Sequence, residues 1–218
     1  MIIKGSKMKL KLHNIFVAII LLCIPILLAS TPFQFGDTVG RWQISATTIQ
    51  GQQAKVIECK TAGMLYVPTS IFNQSATEAA YGSWEGWFYK GADANSINVA
   101  FVTDKFNVID ATAAAYSFVV GTTEEIAIYR PGVSILSASA VGYVTNSTWY
   151  KWKVTRSLVG SFSFYINDVL VTPTGGYTNP FTDATHTAST YMVFDMDVGD
   201  KIGYSTADGG HGLVKKIN

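Results

Sequence analysis

The chain has 218 residues, of which 48% are hydrophobic, 13% aromatic and only 14% charged, with a formal net charge of +1. Many aromatics with so little charge exclude an intrinsically disordered chain, and 19 glycines with no sustained heptad exclude collagen-like and coiled-coil architectures. The length suits one domain, or one large sandwich or barrel.

The N-terminus reads as an export signal. Lys4, Lys7, Lys9 and Lys11 precede an uncharged apolar run, Ile15–Leu28, which is followed by the small residues Ala29, Ser30 and Thr31. A basic segment, an apolar segment and a small-residue site are the three parts of a secretory signal peptide. The apolar run falls short of the ~20 residues of a membrane span and contains Pro25. A signal peptide over 1–30 is therefore expected in preference to an uncleaved anchor, followed by one domain over 31–218. The expected location is secreted or at the extracellular surface, with membrane contact only through this segment if it stays attached.

Removing 1–30 takes away four lysines and no acid, which leaves more acidic than basic residues. A broad basic surface for nucleic acid is excluded on that count. Lys151, Lys153 and Arg156 form the one local basic group apart from Lys215 and Lys216, and it reads as a solvated strand face. Cys59 alone remains after the leader, so no internal disulfide can form. In Val56-Ile57-Glu58-Cys59 it reads as a small buried hydrophobe rather than a reactive thiol.

From residue 41 onward, short β-rich runs alternate with clusters of Gly, Asn, Asp, Ser and Pro. The expected strands are Arg41–Ala46, Ala54–Cys59, Met64–Pro68, Ser83–Lys90, Ile97–Thr103, Tyr116–Val120, Ile126–Arg130 and Ser134–Ala138. They continue with Tyr150–Arg156, Phe162–Ile166, Val169–Thr172, Tyr191–Asp195, Lys201–Ser205 and Gly212–Ile217. The clearest signal is Tyr150, Trp152 and Val154 alternating with Lys151, Lys153 and Thr155. A period of two makes one face apolar and the other polar. Phe162, Phe164 and Ile166 repeat it, and Asn167-Asp168 supplies a two-residue turn before Val169.

Trp149-Tyr-Lys-Trp-Lys-Val-Thr-Arg156 followed by Ser161-Phe-Ser-Phe-Tyr-Ile-Asn-Asp-Val-Leu-Val171 resembles the signature hairpin of laminin-G-like domains, members of the concanavalin A-like lectin/glucanase superfamily. Gly82-Ser-Trp-Glu-Gly-Trp-Phe-Tyr-Lys-Gly91 is similar to another strand of that family. Asn167-Asp168 stands where the family has Asp-Gly. The resemblance implies an all-β, two-sheet antiparallel jelly-roll sandwich of the concanavalin A-like type, here preceded by a short N-terminal hydrophobic helix. It also implies that sugars, proteins or calcium bind on the concave face and rim loops. Similar stretches occur in structural and fibre proteins of bacterial viruses.

Superfamily glucanases carry Glu-x-Asp-x-Glu on one strand, so that three carboxylates share a face. No such triplet occurs here, and no catalytic residue is assigned. Gly203-Tyr-Ser205-Thr-Ala207 nearly matches a serine-hydrolase elbow but lacks the helix that motif needs. Asp195, Asp197 and Asp200 are hard-oxygen ligands of the kind calcium takes, and calcium is the one cofactor kept open. Sugar recognition requires aromatic platforms with polar neighbours. Glu85, Trp87 and Tyr89 share one face of a continuous strand and are the preferred exposed ligand-binding set, leaving Trp84 and Phe88 for the core. Asn73-Gln-Ser75 and Asn146-Ser-Thr148 are glycosylation sequons if the host glycosylates.

The expected function is a non-catalytic extracellular binding or adhesion module, its partner a carbohydrate or other cell-surface ligand. The alternatives are a self-associating structural subunit of a virion, fibre or filament, and a glycoside hydrolase lacking the usual triplet.

Overall fold

The computed structural model of the protein describes residues 34–35, 41–72, 75–108 and 110–203. The leader with its hydrophobic helix, the Asn73 sequon, Ser205 and the expected strand Gly212–Ile217 lie outside the described residues. Contacts divide the chain into Met1–Pro32 and Phe33–Asn218, and every strand below belongs to the second unit.

The strands are β1 (Gln34–Phe35), β2 (Trp42–Ile49), β3 (Gln52–Cys59), β4 (Gly63–Pro68), β5 (Gly82–Tyr89), β6 (Ile97–Thr103), β7 (Ala115–Val120) and β8 (Ile126–Arg130). They continue with β9 (Ser134–Ala138), β10 (Trp149–Arg156), β11 (Ser161–Ile166), β12 (Val169–Leu170), β13 (Phe181–Thr182), β14 (Tyr191–Met196) and β15 (Lys201–Gly203). One sheet runs β1-β4-β14-β6-β7-β8-β9; the other runs β12-β11-β10-β5-β15-β3-β2, with β13 added beside β11. Strands β14 and β15 enter the middle of the two sheets, so neither is complete until these last two strands are in place. The architecture is the expected antiparallel jelly-roll sandwich.

The alternation in the sequence decides which side chains meet between the sheets. Trp84 and Phe88 of β5, Trp152 and Val154 of β10, and Phe162 and Phe164 of β11 are buried on the inner face. Opposite them stand Phe101 of β6 and Tyr116 and Phe118 of β7. Phe118 stacks on Trp152 with ring centroids 5.3 Å apart, and Trp84 meets Phe101 at 4.9 Å. Each such side chain contributes about 1.5–3 kcal/mol by burial. Asn167 and Asp168 turn β11 into β12 with φ of 49° and 64°, the left-handed pair that a tight hairpin requires.

On the far side of their sheet, β6 and β14 are also buried at Ala100 and Val193, over which Val108 packs. The β5–β6 loop and the β14–β15 turn touch so closely that a Cβ on Gly91 would stand 2.8 Å from the carbonyl carbon of Gly199. Only a residue without a side chain fits there.

Two expectations about single residues come out differently. Cys59 is buried and free, as expected. Arg156 is not on a solvated face: it is 2% exposed. Its parity is that of Trp152 and Val154, so the strand alternation carries it inward, while Lys151 and Lys153 point outward.

Candidate functional site

The outer face of the second sheet collects the aromatic residues that the core leaves over. Glu85, Trp87 and Tyr89 are each partly exposed, in alternation with buried Trp84, Gly86 and Phe88. Strand pairing fixes their neighbours. Trp149 lies opposite Tyr89, Lys151 opposite Trp87, and Lys153 opposite Glu85. On the other flank Lys201 lies opposite Tyr89 and Gly203 opposite Trp87, and beyond Lys201 comes Glu58. The three residues expected to share a face do share it. Trp149, Lys201 and Glu58 join them through pairing across strands distant in sequence. Trp149 was visible in principle, since it has the parity of Lys151 and Lys153.

The aromatic part is continuous, with the Tyr89 and Trp149 rings 5.4 Å apart. The lysines are held around it. Lys201 Nζ lies 5.0 Å from the Tyr89 ring centre and 3.8 Å from Glu58 Oε2. Lys151 Nζ lies 2.9 Å from Asp168 and 3.9 Å from Glu85. Lys153 has no ion pair among the described residues, its Nζ standing 5.8 Å from the Tyr165 ring centre.

This face is curved. Gly203 pairs with Val56, which pairs with Ser45. Ile49 is four residues further along β2, about 13 Å away in a flat strand. Yet a Cβ on Gly203 would lie 2.9 Å from Ile49 Cδ1 and 3.0 Å from Trp87 Cβ. The β2–β3 hairpin therefore curls back over the sheet, and Ile49 stands as a wall beside Trp87. Together the hairpin and the aromatic strands make a shallow trough walled on the Ile49 side, with an aromatic floor and charged neighbours.

The three aspartates do different work. Asp200 is buried and accepts from Gly91 N at 2.8 Å, Asn95 Nδ2 at 2.8 Å and Asp197 N at 3.1 Å. Asp197 accepts from Ser96 N at 2.8 Å. Both carboxylates thus tie the β5–β6 loop to the β14–β15 turn. Asp195 lies on the outer face of the other sheet, beside Asn98, and burial together with the Asp197 charge pushes its carboxyl up to about 6. Among the described residues, no three His, Cys, Asp or Glu side chains gather where a metal ion could be held. Cys59 donates to Met196 O at 3.3 Å, and burial, then the charge of Asp200, pushes its thiol up to about 12.

Asn146, the described sequon, has its side-chain amide engaged within the protein. The nitrogen to which a glycan would attach donates to Asp93 in a short contact and to Glu124 at 3.3 Å.

No protein-family profile matches the sequence, and no curated protein does. Among solved structures the chain is similar to the carbohydrate binding module CBM66 from Bacillus subtilis, at 14% identity and a TM-score of 0.49, covering 79% of this chain and 98% of that one. It is similar to the metal-free carbohydrate recognition domain of Emp46p at 8% identity and 0.45, covering 78% and 89%. It is also similar to the botulinum neurotoxin serotype D ligand binding domain, solved with N-acetylneuraminic acid, at 13% identity and 0.48, covering 78% and 40%. At these identities and scores no site residue and no activity passes to this chain, and the sandwich rests on its own strand pairing.

Proposed function

We propose that the protein is an exported, non-catalytic carbohydrate-binding or adhesion module that takes a sugar chain in the trough on the second sheet. The observation that carries this reading is the aromatic floor itself. Trp87, Tyr89 and Trp149 are large side chains kept partly exposed on a sheet whose opposite face already fills the core. Aromatic faces pack against the C–H faces of sugars, and the bordering Glu85, Lys151, Lys201 and Glu58 supply hydrogen-bond partners for hydroxyls. Export rests on the leader sequence.

A glycan array on the purified domain, followed by calorimetry on the strongest hit, tests the reading. Saturable binding is expected, with Trp87→Ala and Trp149→Ala each weakening it about tenfold, the loss of roughly one stacking contact. Silence on the array combined with large ordered assemblies in size-exclusion chromatography would replace this reading with that of an assembly subunit. Intact mass of secreted material that retains Met1 would remove the cleaved leader.

A further inference from the structure

At the end of β5 the inner-face alternation runs one step past Phe88, to Lys90, which is 1% exposed. A buried ammonium must be met by oxygens or lose its charge. Lys90 Nζ reaches Asp93 O at 3.1 Å and Thr122 O at 3.4 Å, and makes a short contact with Glu124 Oε1. That same carboxylate oxygen accepts from Asn146 Nδ2 at 3.3 Å, while Asp93 holds the amide's other hydrogen. One oxygen of Glu124 thus bridges an amine and a carboxamide. Asn146 Oδ1 is buried and has no hydrogen-bond partner among the described residues. An orphaned buried carbonyl calls for an explanation.

Two backbone hydrogen bonds hold this arrangement. Ser147 N donates to Lys90 O at 2.8 Å, and Val144 N donates to Glu124 O at 3.2 Å. Glu124 and Ser147, the latter next to Asn146, both lie in the left-handed region with φ of 61° and 58°. Non-glycine residues held there cost of order 1 kcal/mol each, and such strain gathers at sites where side-chain position matters.

We propose that Lys90, Glu124 and Asn146 form a bond-making site, which joins Lys90 Nζ to Asn146 Cγ as an intramolecular isopeptide bond. Lys90 first gives a proton to Glu124. The resulting amine attacks Asn146 Cγ, whose Oδ1 has no competing hydrogen bond among the described residues, and the protonated Glu124 passes its proton to Nδ2, the atom it already contacts. A second amine proton passes to the amide nitrogen. The Nζ–Cγ bond forms, the Cγ–Nδ2 bond breaks, and the nitrogen leaves with the Glu124 proton as ammonium. Nothing is oxidised or reduced, and no co-reactant is needed. The bond would tie the end of β5 to the loop before β10, in a domain whose residues 31–218 hold one cysteine and so have no internal disulfide.

Peptide mapping of the full chain by tandem mass spectrometry tests this. The expected result is a branched tryptic peptide joining Lys90 to Asn146, lighter by one ammonia than its two parts, with cleavage after Lys90 lost. A succinimide at Asn146 also sheds ammonia, but it leaves Lys90 cleavable and persists in Lys90→Arg. Glu124→Gln keeps the shape of the site and is expected to yield the unlinked chain; a linked Glu124→Gln protein would overturn the proton-carrying role. Recovery of linear Lys90 and Asn146 peptides at full mass from the unaltered protein, folded by circular dichroism, would overturn the proposal and leave a plain buried ion pair.

Discussion

Lys90 and Arg156 close opposite ends of the same strand pair, and they are accommodated in opposite ways. Strands β5 and β10 run antiparallel, Tyr89 facing Trp149 at one end and Gly82 facing Arg156 at the other. Both cations point inward and both are almost fully buried. Lys90 is met by oxygens alone. Arg156 is met mainly by rings: its guanidinium carbon lies 4.7 Å from the Tyr81 and Tyr116 centroids and 4.9 Å from that of Phe162. Its Nη atoms donate to Ala80 O at 3.0 Å and Asp183 O at 3.2 Å. A guanidinium is planar and weakly hydrated, so aromatic faces can replace its water; an ammonium is a compact, strongly hydrated charge that needs a carboxylate. The two ends of the core are not interchangeable.

Arg156→Ala is the strongest test of that contrast. It strips two carbonyls of their donor and opens a hole among three rings, and should cost about 3–5 kcal/mol, read as a fall in the urea midpoint. Arg156→Lys should lose about 2 kcal/mol, since the charge stays but the stacking does not; a lysine variant as stable as the parent would break the comparison. Measured against the unlinked chain, Lys90→Met should cost less than Arg156→Ala, about 1–3 kcal/mol, because the Glu124 side chain left behind is 20% exposed and can regain water.

Acid separates the two ends without mutation. His186 lies against the Tyr116 ring at 5.1 Å. Burial, then the Arg130 charge, holds its imidazole below the ordinary 6.5, while Asp183 partly opposes that shift. The folded state therefore binds fewer protons there than the unfolded chain, and stability falls as pH drops below 6.5. In the unlinked chain Glu124 is held below its ordinary 4.5 by the Lys90 hydrogen bond, so its contribution is present above that pH and is lost only beneath it. Asp183 is subject to burial, which would raise it, but the Tyr116 and Thr185 hydrogen bonds and the Arg130 charge outweigh this and hold it below 3.8. Between pH 6.5 and 4.5, amide protection factors, corrected for the intrinsic pH dependence of exchange, should fall around residues 183–186 and hold at Ser147. An equal fall at both would show that the two ends open together.

The strands were legible because an alternation of period two leaves so little choice in Trp149–Arg156 and Phe162–Ile166. The same arithmetic, carried two residues past Val154, places Arg156 inside, and its charge hid that. Glu85, Trp87 and Tyr89 could be grouped from one strand alone. Their partners Lys201 and Glu58 could not, because strand order brings together residues more than a hundred positions apart. The Lys90 cluster was less visible still: its members come from a strand end and two loops, and nothing local marks them as neighbours. The two-residue strands β1 and β13 are too short to leave a pattern.

The buried thiol of Cys59 makes the fold readable by a simple reagent. Almost none of it is ionised at neutral pH, and no alkylating agent can reach it while β3 and the β14–β15 turn stay together. In the chain without residues 1–30, where Cys59 is the one cysteine, the rate at which iodoacetamide marks the protein would count the moments when the two late strands let go.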